Sequence, residues 1–215
     1  MDKKNKLGRV AQEVAECQKC PLYKKATQAV PGAGNPDAEV MFIGEGPGYH
    51  EDQQGLPFVG AAGKLLDKAL DSIKLKREEV FIGNIVKHRP PGNRDPLPAE
   101  IKACTPFLAR QIEIINPKII ATLGRFAMNY FLPSAKISQV HGQARYITWQ
   151  EKRLVLLPLY HPAAALRRGQ VMEDFLKDFK KITMVLDKIK NKDVEEELEE
   201  VKEEKNKKEQ LRLIC

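Results

Sequence analysis

The chain predicts a three-layer α/β/α sandwich on a central, mainly parallel sheet of about four strands. Four apolar, β-branched runs recur along its 215 residues, and segments with helical spacing lie between them. That alternation is how a parallel sheet is covered on both faces. A third observation is the segment Gly44-Glu45-Gly46-Pro47-Gly48, running on to Gly55-Leu56-Pro57-Phe58-Val59-Gly60. Its glycines and prolines stop the first run and lead into the first helix, as a ligand-handling loop does.

Taken in order, Val40 to Gly44 is the first predicted strand and Ala61 to Ile73 the helix after it. Val80 to Val86 is followed by a helix over Ala99 to Ile115, and Lys118 to Leu123 by one over Phe126 to Phe131. Lys136 to Trp149 reads as an insertion with a short strand around Ala144 to Thr148, and Leu154 to Leu159 is the last main strand. At 42% hydrophobic the chain can build a substantial single core, which fits one domain over residues 1–186. Residues 187–215 form a Lys/Glu-rich tail with Ile189, Val194, Leu198 and Val201 at helix-like spacing, expected as a helical or disordered appendage. No run approaches the roughly 20 apolar residues of a membrane span, and Met1 to Lys6 opens no secretory signal, so a soluble cytoplasmic protein is expected.

The formal charge of +7 understates the basicity of the body. Residues 1–186 hold 28 basic and 19 acidic side chains, while the tail is slightly acidic. A basic globular body suits a polyanionic partner, because lysines and arginines displace counterions from phosphates. Charge alone is explained nearly as well by solubility.

In a parallel sheet ligands bind beyond the carboxyl ends of the strands. The segments leaving those ends are Gly44 to Gly60, Asn84 to Asn93, Gly124 to Arg125 and Tyr160 to Gly169. Three of them hold polar residues suited to a site: Glu45 and Glu51, Asn84, and His161.

Cys17 and Cys20 form a C-x-x-C that ends a helical stretch and precedes Pro21, which suits coordination better than thiol redox chemistry. Cys104 is the natural third ligand. For the fourth, His88 is favoured over Cys215, which follows a long tail that would be costly to order. A Cys3His set admits a tetrahedral zinc or an iron–sulfur cluster with one nitrogen ligand, and spacing alone slightly favours zinc. His88 as a surface histidine beside three cysteines stays open.

Several segments together resemble the family 4 uracil-DNA glycosylases, the iron–sulfur members of their superfamily found in archaea and thermophilic bacteria. They are Cys17-x-x-Cys20-Pro21-Leu22, Gly44-Glu45-Gly46-Pro47-Gly48 with Glu51-Asp52, Gly55 to Gly63, Asn84-Ile85-Val86-Lys87, Arg89-Pro90-Pro91-Gly92-Asn93-Arg94, and His161-Pro162. The resemblance spans roughly Leu7 to Leu186. It implies a monofunctional DNA repair enzyme that flips uracil out of single- and double-stranded DNA, hydrolyses its N-glycosidic bond and leaves an abasic site. The alternatives are a superfamily glycosylase for another deaminated base, or a non-catalytic metal-containing nucleic-acid-binding protein. A phosphate-binding α/β protein is disfavoured, because Gly44 to Gly48 lacks the Lys-Ser/Thr of a P-loop.

The resemblance implies a [4Fe-4S] cluster on Cys17, Cys20, Cys104 and the position of His88, where the family normally carries cysteine, with zinc as the alternative. It implies that His161 donates to uracil O2, helped by backbone N–H groups near Gly46, that Glu45 or Glu51 places the attacking water, and that Glu51 guards against thymine. Relatives with an aspartate in this loop use it for that water, and the matching residue here is Gly46. Phe58 is expected to stack on the flipped base and Asn84 to pair with O4 and N3–H. Leu166 or Arg167 is the expected wedge into the duplex, with Arg167, Arg168, Arg89, Arg94 and Lys87 on phosphates. A monomer is expected. A sliding-clamp partner suits a repair enzyme, yet Gln210 to Cys215 lacks the paired aromatics of a clamp-binding peptide.

Overall fold

The computed structural model describes residues 2–192. The tail beyond them, with the helical or disordered state and the clamp peptide considered for it, lies outside the described residues. Six strands form one sheet: β1 (Ala33–Gly34), β2 (Val40–Gly44), β3 (Phe81–Asn84), β4 (Ile119–Leu123), β5 (Arg145–Trp149) and β6 (Lys152–Leu159), in the order β1-β3-β2-β4-β6-β5. The inner four are parallel, with Phe42 opposite both Ile82 and Ala121, and Ala121 opposite Leu157. They are the four predicted runs. The edges are antiparallel: β1 pairs with β3, and the insertion folds back as β5 on β6.

The sheet therefore has six strands where about four main ones were expected. The short strand of the insertion was anticipated. β1 was not, because two residues cannot show a period of two.

The helices are α1 (Lys3–Ala15), α2 (Tyr49–Gln54), α3 (Ala61–Ser72), α4 (Pro98–Ile115), α5 (Arg125–Phe131), α6 (Ile137–Val140), α7 (Pro162–Ala165) and α8 (Gly169–Phe179), and residues 181–192 are also helical. Alternate strand residues feed two cores. Val40 and Phe42 pack with Leu66 and Leu70 of α3 and with Phe175 and Phe179 of α8. Met41 and Ile43 pack with Val10 and Val14 of α1 and with Leu108 and Ile112 of α4. Burial of all five residues of β2 explains its uninterrupted apolar run. No helix among the described residues is long and apolar enough to cross a membrane.

All four parallel strands end at the same edge of the sheet, and the turns that leave them define one face of the molecule. Phe42 anchors the layer beneath that face: it is fully buried and stacks on Phe179, with ring centroids 5.5 Å apart and planes 8° from parallel. Phe42→Ala should lower unfolding stability by about 3–5 kcal/mol, measured by denaturant titration. A loss below about 1 kcal/mol would show that the layer repacks freely.

Candidate active site

A cavity of about 330 Å³ opens at the carboxyl edge of the sheet. Its wall is assembled from three strand ends: Glu45, Gly46 and Gly48 after β2, Asn84 at the end of β3, and His161 after β6. Glu51, on the short α2, and Phe58, after it, come from the long connection that leads from β2 to α3. All six residues expected to handle the base and the bond are thereby brought together, as the strand-end rule requires.

The loop owes its shape to Glu51. Its carboxylate accepts backbone N–H bonds from Gly48 at 3.1 Å and from Val59 and Gly60 at 2.8 Å each, which ties the two ends of the loop to one side chain. Asp52 is buried and faces the other way, accepting from the Thr27 N–H at 2.9 Å and its hydroxyl at 2.8 Å. The loop is thus fastened to the N-terminal segment as well.

Between these fastenings Phe58 is held at φ 52°, a left-handed conformation that costs a non-glycine residue of order 1 kcal/mol or more. Gly63 makes room for it: a Cβ there would lie 1.8 Å from the Phe58 carbonyl oxygen. The Phe58 ring is buried, with its centroid 5.7 Å from that of His161 and the planes 31° apart. It offers one face of a slot for a flat ligand.

Asn84 offers the edge. It is 1% exposed, and its Oδ1 has no hydrogen-bond partner in the protein. A buried carbonyl oxygen without a donor costs roughly 1–3 kcal/mol, so its place in a cavity wall marks it for a ligand donor.

His161 is fixed by its surroundings in one tautomer. Its Nδ1 accepts the Ala163 N–H at 3.1 Å, so Nδ1 is unprotonated and the ring proton resides on Nε2. Burial pushes the imidazole pKa down to about 4, against the opposing pull of the Glu51 charge, so near neutrality the ring is an uncharged donor.

Glu45 is shifted the other way. Burial, followed by the nearby Asp95 carboxylate, raises it to about 7, with Arg125 acting in the opposite sense. Asp95 lines the cavity and is paired with the Arg125 guanidinium. Sequence reasoning passed over Asp95 and Asn93. They stand in the Arg89-to-Arg94 stretch and its continuation, which was weighed only for its cations; the acidic side chain directly after Arg94 was the available signal.

The expected DNA contacts divide. Leu166, Arg167 and Arg168 are exposed at the cavity rim beyond α7, and Arg167 lines the cavity itself. Arg89 lies over the exposed ring of Tyr49, 5.2 Å from its centroid, and donates to Asn93 Oδ1 at 2.7 Å. Arg94 makes a two-pronged pair with the buried Glu100 at 2.6 and 2.8 Å, and Glu100 also accepts the Leu97 N–H at the start of α4. Lys87 is a correction: at 1% exposure it reaches no phosphate, and its Nζ donates inward to Asn84 O at 2.9 Å and Gln111 Oε1 at 2.7 Å.

The thiols of Cys17, Cys20 and Cys104 share one corner. Cys17 and Cys20 are half-buried against the core that contains Cys104, all three are free, and each of the other two bears on the Cys104 thiol, whose pKa burial pushes up to about 11. Cys104 Sγ accepts the Lys87 N–H at 3.2 Å, so His88 follows directly after a residue that touches it. His88 is buried, its pKa lowered by desolvation, and the charge that reaches its ring is that of Asp52. The donor chemistry fits a thiophilic metal or cluster. The placement is not that of a closed site: among the described residues no group of three or more His, Cys, Asp or Glu side chains is arranged to hold a metal ion.

The family model of the uracil DNA glycosylase superfamily matches residues 31–186, and the chain belongs to that superfamily. It is similar to the type-4 uracil-DNA glycosylase of Sulfurisphaera tokodaii, 49% identical over 182 residues that cover 82% of this chain and 83% of that protein. The type-4 protein of Archaeoglobus fulgidus is 47% identical over 82% of this chain and 91% of its own length, and that of Thermotoga maritima 44% identical over 78% and 90%. Within the superfamily the chain stands with the type-4 group.

Gly44 tests the geometry of the slot. A Cβ there would meet Asn84 Oδ1 at 2.5 Å and the Phe58 ring at 2.6 Å, so both binding groups must move if it is added. Gly44→Ala should leave a folded protein, by circular dichroism, that has lost at least about tenfold in base-dependent activity, the scale of one misplaced contact. Full activity would show that neither side chain is needed where it stands.

Proposed function

We propose that the chain excises uracil from single- and double-stranded DNA by hydrolysing the N1–C1′ bond, leaving an abasic site. The observation that carries this reading is the unpartnered Asn84 Oδ1 in the cavity wall, beside the Phe58 ring. A base turned out of the helix stacks on Phe58, its N3–H donates to Asn84 Oδ1, and its O4 accepts from the Asn84 amide. Cytosine presents an acceptor at N3 and a donor at C4, the reverse order, and is refused.

Bond breaking leaves negative charge on the base and positive charge on the sugar. The Nε2–H of His161, neutral and fixed in orientation, donates to O2 as the anion forms, and the backbone N–H groups around Gly46 add to it. The water oxygen bonds to C1′ as the electron pair of the broken bond leaves with the base, and the water's proton passes to the Glu45 carboxylate. Glu45, as carboxylate, orients that water and offsets the sugar cation. Glu51 already accepts three loop N–H groups, so its part is to hold the loop that carries Phe58, from which it also limits bulk at C5 of the base.

Leu166 fills the gap left by the extruded base, while Arg167, Arg168 and Arg89 hold phosphates. Arg94 is committed to Glu100 and contributes mainly to the shape of the rim.

Cys17, Cys20 and Cys104 would hold an iron–sulfur cluster, with His88 at the fourth position. When bound, such a group supplies a cross-link between the N-terminal segment, the β3 turn and α4, and no step of hydrolysis passes through it. The proximity of three free, partly or fully buried thiols supports this reading.

Incubation with a uracil-containing oligonucleotide should release uracil and leave an alkali-labile site; no release from single strands or U·G pairs would sink the glycosylase reading. Because only ionised Glu45 orients water, the rate should climb roughly tenfold per pH unit below about 7 and level off above it, until protonation of His161 near pH 4 removes what remains. In Glu45→Gln the limb near neutrality should vanish along with most of the rate, and an unchanged profile would assign the ionisation elsewhere. Protein purified without oxygen should be brown and contain iron, and Cys104→Ser should lose both colour and thermal stability before it loses intrinsic catalysis. Iron content unaffected by that change would rule Cys104 out as a ligand.

A further inference from the structure

Lys87 is among the largest fully buried side chains of the described residues, and burial of an ammonium is costly unless its protons find acceptors. Two acceptors meet it. One is the backbone carbonyl of Asn84 at 2.9 Å and the other is Oε1 of Gln111, toward the C-terminal end of α4, at 2.7 Å. Gln111 is held in turn by its Nε2 bond to the Pro31 carbonyl at 2.7 Å. The backbone of Lys87 is equally engaged: its N–H meets Cys104 Sγ at 3.2 Å, and its carbonyl accepts the Val30 N–H at 2.7 Å.

The consequence falls on Asn84. β3 ends at this residue, and the two amides that follow, Ile85 and Val86, bond to the carbonyls of Gly44, the last residue of β2, and of Glu45 after it at 3.0 and 3.1 Å. The Asn84 carbonyl accepts from the ammonium three residues on. Asn84, its buried Oδ1 unpartnered, lines the cavity on one side of this peptide, and Lys87 bonds to the carbonyl of the same peptide. A methylene stem without the charge would fill the space and leave that carbonyl without a donor in a dry interior.

We propose that Lys87 is a positioning residue for base recognition: it fixes the Asn84 peptide so that the amide meets the base edge, and through Gln111 and Cys104 it ties this alignment to α4 and the cysteine corner. The proposal rests on the glycosylase reading for what Asn84 recognises, and on geometry alone for what Lys87 holds.

The experiment is a double-mutant cycle between Lys87→Met and Asn84→Ala, read as single-turnover uracil release with enzyme in excess over a uracil-containing oligonucleotide, alongside binding of the same DNA. Lys87→Met should slow release about tenfold or more while DNA binding stays within about twofold, the loss expected when a charge-assisted hydrogen bond is removed. In the Asn84→Ala background the same change should slow release less than about twofold, because a residue that acts through Asn84 has nothing left to position. Equal slowing in both backgrounds, or none in either, overturns the proposal, since a purely structural lysine would weaken both proteins alike. If Lys87→Met does not fold, Gln111→Met, which keeps the lysine and withdraws one acceptor, is measured in the same cycle, with about threefold slowing expected. Amide hydrogen exchange at Ile85 and Val86 reads the same grip without catalysis: faster exchange in the variant supports the proposal, and unchanged exchange overturns it. A native chain that releases no uracil refutes the glycosylase reading, and exchange then still decides whether Lys87 holds the strand end.

Discussion

One carboxylate sets the working end of this molecule. Glu51 collects three backbone N–H groups from both ends of a loop that would otherwise carry them unsatisfied beside a cavity. With those bonds made, the Phe58 peptide can be kept in the left-handed region, Gly63 can seat α3 against it, and the ring can stand as a wall opposite His161. Side chains on strand ends are placed by the sheet; a side chain on a loop this long needs its own fastening.

Low hydration then treats the two titratable groups of the cavity alike and to different effect. Both Glu45 and His161 are driven toward their neutral forms. For a histidine this secures a permanently uncharged donor across the physiological range. For a carboxylate it brings ionisation close to neutrality, where Asp95 and Arg125 bear on it from opposite directions. An exposed ion pair at the rim, worth little to stability, thus bears on the ionic state of a group deeper in.

Much of this was legible in the sequence. Runs buried on both faces announce themselves as continuous apolar segments, and the rule that ligands sit beyond parallel strand ends selected Glu45, Asn84 and His161 before any coordinates. What stayed hidden depends on partners far away along the chain. Lys87 looked like a surface cation because basic residues at strand ends usually are; its acceptor on Gln111 lies 24 residues away on the far side of a turn. Arg94 looked equally available, and Glu100 takes it only because α4 begins at the spacing that brings that carboxylate back. β1 was missed because two residues carry no period. The charge that bears on His88 comes from Asp52 on α2, which sequence distance gave no reason to connect.

The bond from the Ala163 N–H to His161 Nδ1 reaches beyond orientation. In the proposed reaction an imidazole held as a neutral Nε2–H donor enters and leaves each turnover in the same protonation state, with no ring to recharge before the next base. In the proposed hydrolysis the departing anion takes its proton from solvent, and the histidine serves as a fixed dipole.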